Sequence, residues 1–221
     1  MKRIALIHTV KSVLNSFEDR IRNAIDGELI IHNMLDDFLA SDAAERGKFT
    51  QENLNRLFYD IRAAELTGAD VIAVTCSTLT PAVVKIRPFI KTPVVAIDDA
   101  MTKLAVELGE RITILATAQS TVEPTRSKLM HDAAQIKKRV SASVLVCDEA
   151  YTAIKKLDFE THDRLIKEMA LSIKNQDVVV LAQASMAHLE QDIRKICGCP
   201  VLSSPELCVG QIKQIIKQKG E

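Results

Sequence analysis

The chain has 221 residues, and its 29 basic and 29 acidic side chains give a formal net charge of zero. Balanced charge without a dense Lys/Arg stripe argues against nucleic-acid and acidic-membrane partners. The longest apolar runs, such as VVVLA, are too short to span a bilayer, and the first residues lack the apolar core of a signal peptide. Five cysteines without a framework spacing favour reduced thiols, so we expect a cytoplasmic protein.

Short runs rich in Val and Ile alternate with longer helical patterns, which predicts βαβ units and parallel sheets. The predicted strands are, in chain order, 3–8, 28–32, 71–75, 94–97, 111–116, 143–146, 178–181 and 201–202. The predicted helices lie near 13–25, 51–67, 81–90, 101–108, 123–140, 159–174, 187–196 and 206–219. Ligands of open parallel sheets bind beyond the carboxyl ends of the strands, so the residues after each strand are candidate site residues.

The two halves of the chain resemble each other at a nearly constant offset. Val71 and Val178, Pro93 and Pro200, and Asp99 and Glu206 are each 107 residues apart. This period is too long for a solenoid repeat. We therefore predict an α/β fold in which an internal duplication forms two pseudo-symmetric parallel-sheet half-domains with an active-site cleft between them. The expected half-domains are 1–98 and 99–205, and the C-terminal helix over 206–221 can pack back on the first.

Several common functional motifs do not occur in the chain. The seven glycines form neither GxGxxG nor GxxxxGK[ST], and HExxH and paired CxxC motifs are also missing. The dinucleotide fingerprint, the Walker phosphate loop and the commonest zinc motifs are thereby excluded. We expect no cofactor and no metal, which leaves a cofactor-free enzyme or a binding protein.

The segment Thr75-Cys76-Ser77-Thr78 follows an apolar strand and precedes Pro81, a favoured first-turn residue of helices. Cys76 is therefore expected at a strand-to-helix turn, where free backbone N–H groups favour a thiolate and bind carboxylates. The hydroxyls of Ser77 and Thr78 add donors for the same anion. The segment fits equally a small buried cysteine beside an ordinary Ser/Thr cap. At the same offset of 107 residues, Gln183 takes the place of Cys76.

Further polar residues follow other predicted strands. Hydroxyl groups in the segment 117–121 are candidates for carboxylate binding, although an ordinary helix cap fits them as well. His8 ends the first strand and is a candidate acid, base or orienting group, or a structural histidine. The candidate substrate-binding residues are Ser77, Thr78, Thr117, Ser120, Thr121, Ser185 and Met186. The candidate catalytic residues are Cys76, Gln183 and His8.

The motifs VTCSTLTP, ATAQSTVEPT and VVVLAQASMA resemble the aspartate/glutamate/hydantoin racemase superfamily over nearly the whole chain. The resemblance implies cofactor-independent chemistry in two pseudo-symmetric α/β domains, with a cysteine from each half facing the substrate carbon. Cys76 matches the first cysteine, and Gln183 stands where the racemases have the second. The superfamily also includes maleate isomerase and arylmalonate decarboxylase.

Gln183 departs from the family pattern and argues against racemisation by two thiols. A side-chain amide does not exchange a proton as an acid or base at neutral pH, but it can donate a hydrogen bond to a carboxylate or enediolate oxygen. The resemblance thus implies an isomerase that acts through the Cys76 thiolate on the carbon alpha to a carboxylate. The alternatives are a decarboxylase of the superfamily, a non-catalytic carboxylate-binding protein, or a racemase that uses Cys147, Cys197, Cys199 or Cys208. The expected partner is a small carboxylate or amino-acid-like substrate. The sequence is compatible with a monomer and with a homo-oligomer.

Overall fold

The computed structural model describes residues 1–219, apart from the side chain of Ser12. The last two residues of the predicted C-terminal helix therefore lie outside the described residues. The chain divides into two compact units: the first contains Met1–Ile97 and the segment from Glu206 onward, and the second contains Asp98–Pro205. Among the described residues, no helix is both long and apolar enough to cross a membrane.

The first unit is built on a parallel sheet with the strand order β2-β1-β3-β4. Its strands are β1 (Lys2–His8), β2 (Leu29–Leu35), β3 (Val71–Val74) and β4 (Val94–Ala96). Its helices are α1 (Lys11–Ala24), α2 (Phe38–Arg46), α3 (Gln51–Leu66) and α4 (Thr80–Ile86), with short 3₁₀ helices at Ser77–Leu79 and Arg87–Phe89. Every residue of β3 is buried, as expected for a central strand of a parallel sheet covered on both faces.

The second unit has the same arrangement, with the strand order β6-β5-β7-β8 and parallel pairing throughout. Its strands are β5 (Arg111–Ala116), β6 (Ser141–Val146), β7 (Val178–Leu181) and β8 (Val201–Ser203). Its helices are α5 (Asp99–Leu108), α6 (Gln119–Gln135), α7 (Asp148–Lys155), α8 (Phe159–Ala170) and α9 (Glu190–Cys197), with a 3₁₀ helix at Ala184–Leu189. The final helix, α10 (Ser204–Gln218), begins next to β8, and most of it belongs to the first unit.

The internal repeat extends to individual hydrogen bonds. In the first unit, the backbone N–H of Arg3 donates to Asp70 Oδ2 at 2.8 Å. In the second, the backbone N–H of Arg111 donates to Asp177 Oδ2, also at 2.8 Å. Each aspartate in turn donates its own backbone N–H to the carbonyl of the arginine. The prediction of two parallel-sheet α/β half-domains is confirmed.

Some predicted helices differ from those in the structure. The helix predicted over 81–90 ends at Ile86, and a 3₁₀ turn continues it to Phe89, because Pro88 cannot donate a helical hydrogen bond. The helix predicted over 123–140 is α6, which begins four residues earlier, includes Pro124 and ends at Gln135. Helices α2 and α7 were not predicted, because each is shorter than the periodic window that signals a helix.

Candidate active site

Four side chains come together where β1 and β3 of the first unit end. His8 is the last residue of β1 and Thr9 follows it, while Thr75 and Cys76 directly follow β3. The Thr75 backbone N–H donates to the Ile7 carbonyl at 2.9 Å, so the pairing of the two strands continues up to Cys76. This is the carboxyl edge of the sheet, where ligands of parallel α/β folds bind.

The backbone of Cys76 is extended, and the 3₁₀ helix Ser77–Leu79 starts at the next residue. The hydroxyl groups of Thr9 and Thr78 and the backbone N–H groups of Thr78 and Leu79 are placed around the Cys76 thiol so that each lowers its pKa, and the Leu79 N–H also donates to the Cys76 carbonyl at 3.0 Å. Cys76 and Thr78 are half-buried, and Ser77 is buried. Because several donors converge on one sulfur, the turn can stabilise negative charge there when the thiol loses its proton.

The predicted preference of Cys76 for the thiolate form is wrong. Burial raises the pKa of the Cys76 thiol above its ordinary value, and the donors from Thr9, Thr78 and Leu79 only partly offset that effect. Desolvation penalises the charged form of any buried acid, and here it outweighs the hydrogen bonds. The resting group at neutral pH is therefore a thiol, which is a proton donor.

His8 is fully buried, and both of its ring nitrogens have partners inside the protein. Nδ1 lies 2.7 Å from Thr75 Oγ1, and Nε2 lies 3.1 Å from Asn33 Oδ1. Burial lowers the pKa of His8, so its imidazole is neutral near pH 7. Since an amide oxygen can only accept, Nε2–H donates to Asn33 and Nδ1 accepts from the Thr75 hydroxyl. This arrangement favours an orienting role beside Cys76 over direct proton transfer to a ligand.

Gln183 occupies the structural counterpart of the Cys76 position in the second unit. Its backbone is also extended, and a 3₁₀ helix (Ala184–Leu189) begins at the next residue. The Met186 N–H donates to the Gln183 carbonyl at 3.1 Å, as the Leu79 N–H donates to the Cys76 carbonyl at 3.0 Å. The 107-residue match seen in the sequence is thus a match of backbone geometry.

The side-chain amide of Gln183 is held at one end and unpaired at the other. Its Oε1 accepts the backbone N–H of Thr117 at 3.0 Å. Its Nε2 is buried and has no hydrogen-bond partner among the described residues. Leaving a buried donor unpaired costs roughly 1–3 kcal/mol. The amide therefore offers a donor that an oxygen of a ligand or a water molecule can accept.

The remaining candidates differ in accessibility. Thr117 is buried beside Gln183, and Ser120 and Ser185 are exposed. Thr121 is buried in the first turn of α6 and donates its hydroxyl to the Ala118 carbonyl, three residues earlier, at 2.9 Å. Met186 is fully buried in the core of the second unit, which favours packing over substrate contact.

The sequence interpretation missed three residues that shape the Cys76 turn. Thr9 donates to the sulfur, and Thr75 and Asn33 hold His8. Thr9 directly follows β1 and so belongs to the strand-end residues that the sequence indicated, although it was not among the selected candidates. Asn33 lies within β2, where no local sequence signal distinguishes it.

Three of the other cysteines belong to the hydrophobic core of the second unit or pack against it. Cys147 is buried, and Cys197 and Cys199 are half-buried. Burial raises the pKa of each of these thiols, that of Cys197 to about 11. Within residues 1–219, no cluster of three or more His, Cys, Asp or Glu side chains is suited to hold a metal ion.

Known structures resemble this chain over nearly its whole length. An allantoin racemase from Pseudomonas fluorescens is 17% identical, with 98% of this chain and 92% of that chain covered and a TM-score of 0.69. An aspartate racemase from Picrophilus torridus is 18% identical, with 100% and 95% covered and a TM-score of 0.69. A glutamate racemase from Bacillus anthracis is 15% identical, with 99% and 83% covered and a TM-score of 0.75. The TM-scores show a shared fold, and at these low identities the likeness shows the fold alone.

The sequence itself matches a family model as well. No curated protein matches the chain. The model described as Asp/Glu/Hydantoin racemase matches residues 7–212, which include both half-domains and both turns described above. The chain therefore belongs to the Asp/Glu/hydantoin racemase family.

Proposed function

We propose that this protein is a cofactor-independent enzyme that acts on the carbon alpha to a carboxylate of a small acid. Cys76 is the proton-transferring group in this proposal, and Gln183 replaces the second cysteine of the family's racemases. The substrate is a small carboxylate or an amino-acid-like molecule. The observation that carries the proposal is the convergence of the Thr9 hydroxyl and two backbone N–H groups on the Cys76 sulfur.

The chemistry at Cys76 follows from its surroundings. Burial keeps the resting sulfur protonated, while the donors around it stabilise the thiolate that forms when the proton leaves. A group of this kind can protonate a carbanion alpha to a carboxylate and, in the reverse direction, remove the proton. His8 contributes indirectly, because it bonds to Thr75, the neighbour of Cys76.

Gln183 limits the reaction to one proton-transferring thiol. Its Oε1 is held by the Thr117 N–H, which leaves the unpaired Nε2–H as its available donor. We propose that this N–H binds a carboxylate or enediolate oxygen of the substrate, whose negative charge it stabilises during the reaction. Ser77, Thr78, Thr117, Ser120, Thr121 and Ser185 are the further candidates for carboxylate contacts.

The test is hydrogen–deuterium exchange at the alpha carbon, measured by NMR in D₂O with a panel of small dicarboxylic, amino and hydroxy acids. The wild-type protein should exchange that hydrogen of at least one acid without inverting its configuration. Cys76→Ala should abolish the exchange and stay folded. Gln183→Cys should add inversion, because it restores a second thiol. Exchange that persists in Cys76→Ala would overturn the proposal.

A decarboxylase is the second candidate, because the resting thiol of Cys76 suits the protonation of a carbanion left by CO₂ loss. The same NMR samples distinguish the two activities when disubstituted malonates are added to the panel. Loss of CO₂ with incorporation of one deuterium would favour the decarboxylase. Ligand binding without exchange or CO₂ loss would instead favour a carboxylate-binding protein.

A further inference from the structure

Two histidines share one aspartate beside the 3₁₀ helix that follows Gln183. Asp163, on α8, lies with Oδ1 2.7 Å from His162 Nδ1 and with Oδ2 2.8 Å from His188 Nε2. The two imidazole rings are stacked, with centroids 6.4 Å apart and planes 23° from parallel. His162 is fully buried, whereas the His188 side chain is 54% exposed. His188 belongs to the 3₁₀ helix Ala184–Leu189, so the cluster ties this helix to α8.

The corresponding place in the first unit has no such cluster. At the repeat offsets, His188 corresponds to Pro81, and Asp163 and His162 correspond to Asn55 and Leu54. Pro81 lies in the first turn of α4, where its ring fixes the backbone φ angle covalently. The second unit lacks this proline at its equivalent turn, and the contact of His188 with Asp163 provides a restraint there instead.

We propose that Asp163 and His188 are positioning residues that hold the Gln183 turn and make its geometry dependent on pH. Protonated His188 forms a charge-assisted hydrogen bond with Asp163, and such bonds are roughly twice as strong as neutral ones. Histidine is the side chain that ordinarily changes charge between about pH 5 and 8. The turn is therefore held more tightly at the acidic end of this range.

The two histidines of the cluster differ in their surroundings. A carboxylate can only accept, so His162 donates its Nδ1–H to Asp163. The Nε2 of His162 is buried and has no partner among the described residues. The His188 side chain is 54% exposed and reaches solvent, so it is the member of the cluster that the surrounding solution can act on.

Other charged groups surround the cluster. Lys167, on α8, forms an ion pair of 2.7 Å with Asp192 on α9 and interacts with the charge of Asp163. Asp192 also interacts with His188 and with Lys195. On the same helix, Glu190 instead contacts Ser203 and Arg194. Asp163 itself has a lowered pKa: burial acts against ionisation, but the two histidines outweigh it. It is therefore ionised throughout the range in which a histidine titrates.

The test follows the Gln183 side-chain amide by NMR in protein labelled with ¹⁵N-glutamine, between pH 5 and 8. The Gln183→Leu variant assigns the signal. In the wild type the chemical shift of the Gln183 amide should change with pH. The midpoint of this change should equal the midpoint of the His188 imidazole, which is measured in the same sample. Asp163→Asn and His188→Gln should each abolish this change. His131→Gln is the matched control, because it makes the same substitution at an exposed histidine of the same unit.

Two outcomes would overturn the inference. One is a Gln183 amide signal that stays constant across the pH range, and the other is a change that persists in folded Asp163→Asn and His188→Gln. Circular dichroism shows whether each variant is folded. A repeat of the titration in Asp60→Asn removes a carboxyl whose pKa is raised to about 7 and which would otherwise change charge in the same pH range. The amide signal is measured without substrate, so this test can fail or succeed independently of the proposed function.

Discussion

Replacing Asp60 by Asn should stabilise the protein at alkaline pH and have little effect at acidic pH. Asp60 lies on α3 near Asp36, the residue that follows β2. Arg56 donates to the Asp36 carboxylate from Nε at 2.5 Å and from Nη2 at 3.1 Å. Burial, a hydrogen bond to Asp36 and the charge of Asp36 raise the pKa of Asp60 to about 7. Arg56 neutralises Asp36, whose own pKa is lowered.

The sign follows from linkage between protonation and folding. A carboxyl whose pKa rises from 3.8 to about 7 on folding contributes stability below its unfolded pKa, and this contribution is lost as the pH rises through 7. A shift of about 3 units corresponds to at most about 4 kcal/mol, at 1.36 kcal/mol per unit. Because Asp60 is only half-buried and shares its proton with Asp36, we expect about 1–2 kcal/mol after allowing for solvent screening. An asparagine keeps a donor for Asp36 and carries no charge.

The assay is urea unfolding followed by circular dichroism at pH 5 and pH 8.5. Asp60→Asn should exceed the wild type in unfolding free energy at pH 8.5, and the difference should be clearly smaller at pH 5, because the contribution of Asp60 is lost gradually between pH 3.8 and about 7. Asp26→Asn, at an exposed aspartate, is the control and should behave like the wild type at both values. A difference between Asp60→Asn and the wild type that does not change with pH would refute the reasoning.

Three further predictions concern other groups. Because burial raises the pKa of Cys76, its alkylation by iodoacetamide should be slow at pH 7 and accelerate only above about pH 9; rapid alkylation at pH 7 would contradict this. His8→Ala should lower the unfolding free energy by about 2 kcal/mol, because it removes a buried side chain together with its hydrogen bonds to Thr75 and Asn33; urea unfolding would contradict this if the loss were below about 0.5 kcal/mol. Gly109→Ala should lower the melting temperature, because the added Cβ would lie 2.3 Å from Asp177 Cβ, whereas Gly210→Ala, with open space around it, should leave it unchanged or raise it.

Much of the fold could be predicted because local patterns and the internal repeat agree. Buried parallel strands such as β3 and β7 are short continuous runs of apolar residues that only a few arrangements can bury. In the internal repeat Gln183 aligns with Cys76. Both residues precede a 3₁₀ helix and make the same backbone hydrogen bond. The helices α2 and α7 were missed because each is short and begins two or three residues after a strand, where a loop is expected.

The protonation of Cys76 could not be read from its sequence neighbours. A turn with free N–H groups favours the thiolate, and the neighbouring residues reveal only this local effect. Burial depends on residues far along the chain, and it acts in the opposite direction with the larger effect. Similarly, the partners of His8 come from β2 and from the residue after β3, 25 and 67 positions away.

The sequence by itself determined the family, the parallel α/β architecture and the alignment of Gln183 with Cys76 in the internal repeat, because these depend on residue identity and on periodicity along the chain. Only the tertiary structure decided which end of the Gln183 amide is available, since the Thr117 N–H binds Oε1 and leaves Nε2 unpaired. It likewise decided that His188 meets Asp163, 25 residues earlier in the chain. Hydrogen bonding and desolvation depend on distances in space, and these are set when the strands and helices pack.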